Sequence, residues 1–409
     1  MRFKMLVASG AALAWMLPAQ PALAATVGVF EGLSEFGSRV LQVRYEAAIG
    51  EINDVSVVEA PEGVYVFTDL SAAMTPLAGC TSISPTSVRC QVDPGLPDEA
   101  EVRTKDGADS VDVTSESALV LGGHGSDTLT TRSWGFLVGG SGDDRLVALG
   151  TDDVPSSLET HLQGGKGADS LVGGPGNEHL DGGPGTDDIA GGPERDMVSY
   201  YSRNSLAPVR ISLDGRANYG AAGENDWIRA GVERAEGSRG PTTFIGNSGP
   251  NSFYGFWSAR RGAGDVVRTK AGDDFVLLGR GPNVVSGGGG DDIVLGGRGR
   301  DLLSGGPGDD RLNGDHAADL ILGGPGNDIL NGAVGEDDLR GGRGNDWLSG
   351  GRRNDVLRGG PGHDRVGGGW GDDVLYARDR NRDIVRGGAG RDRARVDPID
   401  ALWSVEALF

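Results

Sequence analysis

An aspartate recurs every ninth residue in the C-terminal half of the chain, among glycines that would let carboxylate and main chain bind one cation together. Twelve nonapeptides run from Thr269 to Tyr376, each close to G-G-x-G-x-D-x-U-x, where U is a large aliphatic residue. Eleven of the twelve sixth positions are Asp, and Asn283 is the exception. Glycine tolerates positive φ, so carbonyl oxygens can converge beside the carboxylate. Because Ca²⁺ takes about six to eight oxygen ligands of these two kinds, the repeats predict several calcium sites.

The candidate metal ligands are sixth-position aspartates in two blocks of repeats. In the second, regular block they are Asp274, Asp292, Asp301, Asp310, Asp319, Asp328, Asp337, Asp346, Asp355, Asp364 and Asp373. In the first, interrupted block they are Asp109, Asp127, Asp144, Asp169 and Asp187. The longest gap in the first block, from Asp144 to Asp169, equals one eighteen-residue coil plus seven residues. A surface loop such as residues 151–157 would absorb that excess, because insertions in solenoids map to loops.

The residues after each aspartate predict the element that positions it. The x-U-x triplet reads as a short β-strand whose central side chain points inward and whose neighbours point outward. One such strand cannot bury its apolar side alone, whereas stacked repeats bury a continuous column. The prediction is an all-β protein built from turns and short strands.

The repeats resemble the repeats-in-toxin (RTX), or haemolysin-type, calcium-binding family. The resemblance implies a parallel β-roll, a form of β-solenoid, in which consecutive nonapeptides take opposite sides. Eighteen residues then make one right-handed coil, and multiple Ca²⁺ ions lie between turns two repeats apart. We therefore expect glycine-rich repeats in two blocks and a small N-terminal β cap.

The two sides of the second block differ in sequence. We call the turns ending at Asp274, Asp292, Asp310, Asp328, Asp346 and Asp364 the odd edge, and the alternating turns the even edge. The odd edge keeps Gly at position four and Asp at position six throughout. The even edge has Asn283 for Asp, and Ala317 and Arg353 for Gly, while Asp315 and Ala333 replace second-position glycines. The odd edge is therefore predicted to bind calcium more tightly.

The first 24 residues predict export and not a fold. Arg2 and Lys4 precede an apolar stretch, and Ala22-Leu23-Ala24 fits a signal-peptide cleavage site. An uncleaved membrane anchor is the alternative, although the stretch is shorter than the roughly 20 residues that a span requires. We expect a secreted, extracellular protein, free or associated with the cell surface, with no membrane span.

Cys80 and Cys90 are the two cysteines of the chain, with nine residues between them. In an exported protein this pair predicts a disulfide, and two free buried thiols are the alternative. The pair lies in residues 25–100, where alternating apolar segments predict a small β domain that caps the solenoid. A separate binding domain is the other interpretation of this segment.

The remaining boundaries follow the period. Residues 101–199 form the first, interrupted roll, and residues 246–395 form the second. Residues 200–245 break the period and are expected to be an insertion between the rolls. Residues 396–409 are expected to cap the second roll.

Motifs and charge narrow the function. The chain contains no H-E-x-x-H, G-x-S-x-G or S-x-x-K, so the usual metalloprotease, lipase and β-lactamase signatures fail. A formal net charge of −21 argues against nucleic acid as a partner. We expect a calcium-binding structural or surface-interaction protein and not an enzyme. The alternative is a secreted hydrolase or toxin-like protein that uses the repeats as an export and folding module.

One partner surface is predicted from outward positions. In the repeats of the even edge, whose strands are expected to form one sheet, position seven carries Val284, Leu302, Leu320, Val356 and Val374, interrupted by Asp338. An apolar stripe of this length usually marks an interface. We expect it to be buried by self-association, or by the first roll or the cap of the same chain; a cell-surface or glycan partner elsewhere also stays open.

Overall fold

A computed structural model describes residues 25–33, 39–60, 64–91, 98–115, 117–132, 134–150, 159–203, 206–255 and 264–409. Throughout these ranges the regular secondary structure is β. The described residues contain no helix long and apolar enough to cross a membrane. The predicted signal peptide, residues 1–24, and the predicted loop at 151–157 lie outside them.

The strands are short and follow each other at near-regular intervals. The N-terminal segment contains β1 (Ala25–Leu33), β2 (Arg39–Glu46), β3 (Asp54–Ala60), β4 (Val64–Asp69), β5 (Met74–Pro76), β6 (Cys80–Ser84) and β7 (Ser87–Gln91). The first block contains β8 (Asp98–Asp106), β9 (Ser110–Thr114), β10 (Ser117–His124), β11 (Thr128–Thr131), β12 (Trp134–Ser141), β13 (Arg145–Ala148), β14 (Glu159–Lys166), β15 (Ser170–Val172), β16 (Asn177–Asp181), β17 (Asp188–Ala190) and β18 (Met197–Ser199). The middle segment contains β19 (Val209–Ser212), β20 (Ala217–Ala221), β21 (Asp226–Ile228), β22 (Arg234–Glu236), β23 (Thr242–Ile245) and β24 (Ser252–Tyr254).

The second block and the tail complete the chain. Their strands are β25 (Val266–Ala271), β26 (Phe275–Leu277), β27 (Val284–Gly289), β28 (Ile293–Leu295), β29 (Leu302–Ser304), β30 (Arg311–Asn313), β31 (Leu320–Pro325), β32 (Ile329–Val334), β33 (Asp338–Arg343), β34 (Trp347–Arg352), β35 (Val356–Arg358), β36 (Arg365–Trp370), β37 (Val374–Ala377), β38 (Ile384–Ala389), β39 (Arg393–Val396), β40 (Ala401–Trp403) and β41 (Ala407–Leu408).

Alternate strands form two long sheets, as a parallel β-solenoid requires. Sheet 1 runs β5-β1-β2-β8 and then through the even-numbered strands β10 to β18, β22, β24 and onward to β40. Sheet 2 runs β6-β7-β4-β3, through the odd-numbered strands β9 to β17, then β21-β20-β19-β23 and onward to β41. Within the second block every pairing is parallel and in register, for example Val294 with Leu312 in sheet 1 and Leu303 with Ile321 in sheet 2. The predicted fold class is confirmed.

The core is a single column between the sheets. From Val276 to Leu375 the eighth-position aliphatic residues are 0 to 2 % exposed. Their neighbours at positions seven and nine point outward, because side chains alternate along a strand. The period of nine therefore holds because every repeat contributes one buried side chain to the column.

The segment 200–245 differs from the insertion that its broken period suggested. Sheet 1 continues from β18 through β22 and β24 to β26, so the two blocks share one axis. Phe244 and Phe253 occupy the core there, fully buried with ring centroids 4.8 Å apart. Aromatic core residues and turns of other lengths removed the sequence period while the coil itself continued. Within this segment β20 departs from the parallel pattern, since it pairs antiparallel with both β19 and β21.

Both ends of the solenoid carry additional strands. At the N-terminus β2 pairs in parallel with β8 and β3 with β9, so the predicted cap continues both sheets. Cys80 and Cys90 form the predicted disulfide as cross-strand partners on β6 and β7. At the C-terminus β40 and β41 add to sheets 1 and 2, and Leu402 and Leu408 remain 37 % and 63 % exposed.

The apolar stripe on sheet 2 is not covered by the first block or the cap. Val284 and Leu302 are 40 % and 37 % exposed, and Leu320, Val356 and Val374 are half-buried. Among the described residues the expectation of cover by the first block or the cap is wrong, because the two blocks lie end to end along one axis and neither faces the other's outer surface.

Candidate calcium sites

The sixteen predicted aspartates lie in the turns between the sheets, and each is 0 to 3 % exposed. We call the turns that lead into sheet 1 edge 1 and those that lead into sheet 2 edge 2. In the second block, edge 1 is the odd edge and edge 2 is the even edge. Edge 1 carries Asp274, Asp292, Asp310, Asp328, Asp346 and Asp364. Edge 2 carries Asp109, Asp127, Asp144, Asp169 and Asp187 in the first block, and Asp301, Asp319, Asp337, Asp355 and Asp373 in the second.

Each aspartate uses one oxygen to join two coils. Its Oδ1 accepts a hydrogen bond from the backbone N–H of the corresponding residue in the preceding coil, at 2.6 to 3.0 Å. The Asp144–Asp169 pair keeps this contact at 2.8 Å despite its longer spacing. Asp144 and Asp169 therefore occupy adjacent coils of the same edge.

The second oxygen of each carboxylate is buried and has no hydrogen-bond partner among the described residues. This holds for Oδ2 of all sixteen predicted aspartates. A buried carboxylate oxygen without a partner loses its hydration and gains nothing in return. Burial raises the pKa of Asp310 to about 7, and raises that of Asp319 to about 8, with the neighbouring carboxylates Asp301 and Asp337 adding to the increase. A nearby cation would reverse this penalty.

The glycine at position one leaves room for that cation. A Cβ placed on Gly323 would lie 2.3 Å from Asp328 Oδ2 and 2.5 Å from the carbonyl oxygen of Gly341. A Cβ on Gly122 would meet Asp127 Oδ2 at 2.3 Å and Gly139 O at 2.6 Å. Carboxylate and carbonyl oxygens of adjacent coils thus face the same small volume. This donor set fits Ca²⁺, which prefers carboxylate and carbonyl ligands.

The comparison with known families agrees with this chemistry. The family model described as RTX calcium-binding nonapeptide repeat (4 copies) matches residues 136–154, 161–198, 268–303, 304–339 and 340–375. The chain thus carries RTX-type calcium-binding nonapeptide repeats. No curated protein matches it.

Three further aspartates of the RTX repeats share the same environment. Asp196, Asp383 and Asp392 are buried with an unpaired Oδ2. The turns of Asp196 and Asp383 lack glycines of the motif, whereas the turn of Asp392 is a complete G-G-x-G-x-D followed by the small Ala394. Asp226 also joins the edge 2 row, because Asp187 N donates to its Oδ1 at 3.0 Å. Its turn has no RTX signature, so period alone could not find it.

The intact edge changes sides along the RTX solenoid. In the first block the regular aspartates are on edge 2, whereas edge 1 has Ala118 and Glu178 at the equivalent position. From Asp274 onward the regular aspartates are on edge 1. Because strand pairing continues from the first block into the second, both rows of aspartates lie on one solenoid. The two separate sequence blocks did not reveal this continuity.

Both ends of the first-block row are closed by protein groups. At the N-terminal end, the neutral Asn53 takes the place of an aspartate and donates its backbone N–H to Asp109 Oδ1 at 2.6 Å. The Tyr45 hydroxyl oxygen lies 2.9 Å from Asn53 Oδ1 and 2.7 Å from Asp69 Oδ2, and its single proton bonds to one of these two oxygens. At the opposite end the Tyr200 hydroxyl donates to Asp226 Oδ2 at 2.8 Å.

Arg203 supplies a cation at that second end. Its buried guanidinium pairs with Glu224, donates to the carbonyl oxygen of Gly183, and lies 3.4 Å from Asp226 Oδ2. Tyr200 packs under it, with the guanidinium carbon 4.7 Å from the ring centroid. A carboxylate oxygen and a glycine carbonyl are thus satisfied by a tethered positive charge. Sequence reasoning missed this group because Arg203 lies in the aperiodic segment.

Backbone strain distinguishes the even edge of the second block. Asp315, Ala317, Ala333 and Arg353 all adopt positive φ, at 73°, 90°, 69° and 82°. For a residue with a Cβ this left-handed conformation costs about 1–2 kcal/mol. On the odd edge Lys270 of the first turn also has positive φ, at 85°, and from Gly287 to Asp364 the equivalent positions are all glycine. The even edge therefore forms the same turn less favourably.

Proposed function

We propose that this RTX-repeat protein is a secreted calcium-binding protein whose solenoid folds as it binds multiple Ca²⁺ ions. The observation that carries the proposal is the row of buried Asp Oδ2 atoms without a hydrogen-bond partner among the described residues, several of which, such as those of Asp127 and Asp328, face a carbonyl oxygen of the next coil. Without a cation each coil buries a carboxylate at a penalty of several kcal/mol if it stays ionised. Because the site hardly exists in the unfolded chain, the free energy of ion binding becomes free energy of folding.

The first prediction is loss of strand structure on calcium removal. We expect the far-ultraviolet circular dichroism of the mature protein to change from β to largely unfolded in chelator, and to recover in millimolar Ca²⁺. Extracellular calcium would fill even weak sites of about 10⁻⁴–10⁻³ M. Magnesium at the same concentration is the control, since it demands a tighter octahedral site and should not restore the spectrum. Equal strand content with and without chelator would contradict the proposal.

Secretion rests on the N-terminal sequence. We propose that residues 1–24 direct export through the general secretory route and are removed after Ala24. The disulfide between Cys80 and Cys90 supports an oxidising destination. The mass of the exported protein tests the cleavage site directly.

We further propose a structural or surface-interaction role, with no catalytic activity. Residues 25–100 and 200–245 were the segments outside the repeats, and their described strands belong to the same two sheets. The described part of the chain therefore offers no separate domain for a catalytic site.

The apolar stripe on sheet 2 is the proposed contact surface. Val284, Leu302 and Leu320 follow one another in register on adjacent strands and point outward. We propose that this stripe mediates self-association of the calcium-loaded protein.

The second prediction tests that surface. Replacing Leu302 and Leu320 together by lysine should reduce the mass measured by light scattering in calcium to that of a monomer, because the charges oppose burial of the stripe. Replacing Ile293 and Ile329, which are similarly exposed on sheet 1, is the matched control and should leave the mass unchanged. A wild-type protein that is already monomeric at high concentration would exclude self-association through this surface.

A further inference from the structure

A group of three potential metal ligands lies on the outer face of sheet 1, away from the calcium turns. Glu159 and His161 are two residues apart on β14, so both side chains point to the same side. His179 on β16 is the register partner of His161. One ligand atom from each of the three side chains lies within 4.8 Å of the others.

Neighbouring side chains hold the two imidazoles in place. Phe136 stacks on His161 with ring centroids 4.5 Å apart, and His161 lies 4.9 Å from His179. All three residues are half-buried. Met197 follows His179 in the same row on the next strand. The rings are therefore positioned before any ligand arrives, which lowers the entropy cost of forming a site.

The chemistry of this group differs from that of the turns. Two imidazoles and one carboxylate suit a transition metal such as Zn²⁺, whereas carbonyls and carboxylates suit Ca²⁺. Three protein ligands would leave one position of a tetrahedral zinc ion open to water or a further ligand.

Arg234 is the group that a metal ion would have to displace. Its Nη2 lies 3.1 Å from Glu159 Oε1 and 2.7 Å from the carbonyl oxygen of Arg195. An ion pair of partly exposed side chains contributes only about 0–1 kcal/mol, so Glu159 can turn from Arg234 toward the imidazoles at small cost. The second hydrogen bond would keep Arg234 in place on the sheet.

We propose that Glu159, His161 and His179 bind one zinc-like divalent transition-metal ion on the outer face of sheet 1. The site is separate from the calcium turns and does not depend on the proposed function. Drawing three atoms from 4.8 Å to the roughly 3.3–3.5 Å of a tetrahedral zinc site requires side-chain rotations and no movement of the strands.

The test is a zinc titration of the full mature chain by calorimetry in saturating calcium, which occupies the turns. We expect one zinc ion per chain in the wild type. His161→Gln and His179→Gln should each weaken binding at least about tenfold, the loss seen even when only an outer-shell partner of a zinc ligand is removed. His124→Gln, which removes an exposed turn histidine, is the matched control and should bind zinc as the wild type does.

A second readout separates loss of the site from loss of the fold. Circular dichroism in calcium should be the same for all variants, because the substituted side chains lie outside the core. Cobalt bound to the wild type should give the intense visible absorption of a four-coordinate ion, and both histidine variants should lack it. Absence of zinc binding by the wild type, or unchanged binding by the His161→Gln/His179→Gln double variant, would overturn the proposal.

Discussion

Replacing Arg203 by glutamine is expected to lower the free energy of unfolding in saturating calcium by about 3–5 kcal/mol, the usual effect of removing one partner from a buried charge cluster. The guanidinium neutralises Glu224 and Asp226 and donates to Gly183 O, and all of these contacts end with the substitution. Asp226 is fully buried, so its charge would gain no compensating hydration. Urea titration followed by circular dichroism measures the loss.

Arg229→Gln is the matched control for Arg203→Gln. Arg229 also pairs with a carboxylate, Asp188, and packs on an aromatic ring, that of Trp227, but both members of its ion pair are exposed. An exposed pair contributes about 0–1 kcal/mol, so this variant should be nearly as stable as the wild type. Similar losses of unfolding free energy for the two variants would show that Arg203 contributes no more than an exposed ion pair does and does not act as a buried cation.

Arg203 also predicts a change in calcium dependence. With the guanidinium gone, Asp226 Oδ2 and Gly183 O become oxygens that a calcium ion could share. The unfolding midpoint of Arg203→Gln should therefore rise more steeply with calcium concentration than that of the wild type, since an ion that binds only the folded state stabilises it by mass action. Parallel dependence in the two proteins would contradict this explanation.

The regular part of the fold was predictable because one residue in nine is fixed by the core. Leu330 and Leu348, for example, are buried for the same reason and in the same register. The middle segment was not predictable, since Phe244 and Phe253 fill the column where the period expects single aliphatic residues. Larger side chains and turns of other lengths preserve the coil while erasing its sequence signal. The sequence period shows where the turns have constant length, whereas the continuity of the solenoid depends on strand pairing.

The candidate site divides in the same way. The aspartates of the turns were identified from spacing alone, because each must present its carboxylate in the same place within a coil. Their contacts between coils could not be identified from spacing. The contact between Asp144 and Asp169, and the change of the intact edge from edge 2 to edge 1, depend on which strands pair. Glu159, His161 and His179 also had no signal, since outward positions of a solenoid carry no repeat constraint.

Asp328→Ala is expected to weaken calcium binding at least about tenfold at the sites on both sides of it, since carboxylate count is a main determinant of calcium affinity. Asp328 Oδ2 and Gly341 O face one volume from adjacent coils. Its Oδ1 also accepts from Asp310 N at 2.9 Å, so the substitution leaves a buried N–H without its partner. Both effects fall within the odd edge, where every neighbouring turn is intact.

Asp319→Ala makes the same chemical change on the even edge and should cause a smaller loss. Ala317 in the same turn adopts φ 90° and is already strained. The free energy of calcium binding at this even-edge site is therefore expected to be smaller, and Asp319→Ala removes less of it. Calorimetric titration of calcium into both variants compares the two edges directly.

Two further variants decide whether the difference comes from strain. Ala317→Gly removes the left-handed strain of about 1–2 kcal/mol and should strengthen calcium binding on the even edge. If the strained turn limits calcium affinity, Asp319→Ala should cause a larger loss of calcium binding in the Ala317→Gly background than in the wild type. Asp291→Ala removes an exposed carboxylate next to the odd-edge row and controls for net charge; it should change affinity little, because exposed charges are screened by solvent. Equal losses for Asp328→Ala and Asp319→Ala, unaltered by Ala317→Gly, would mean that both edges bind calcium alike.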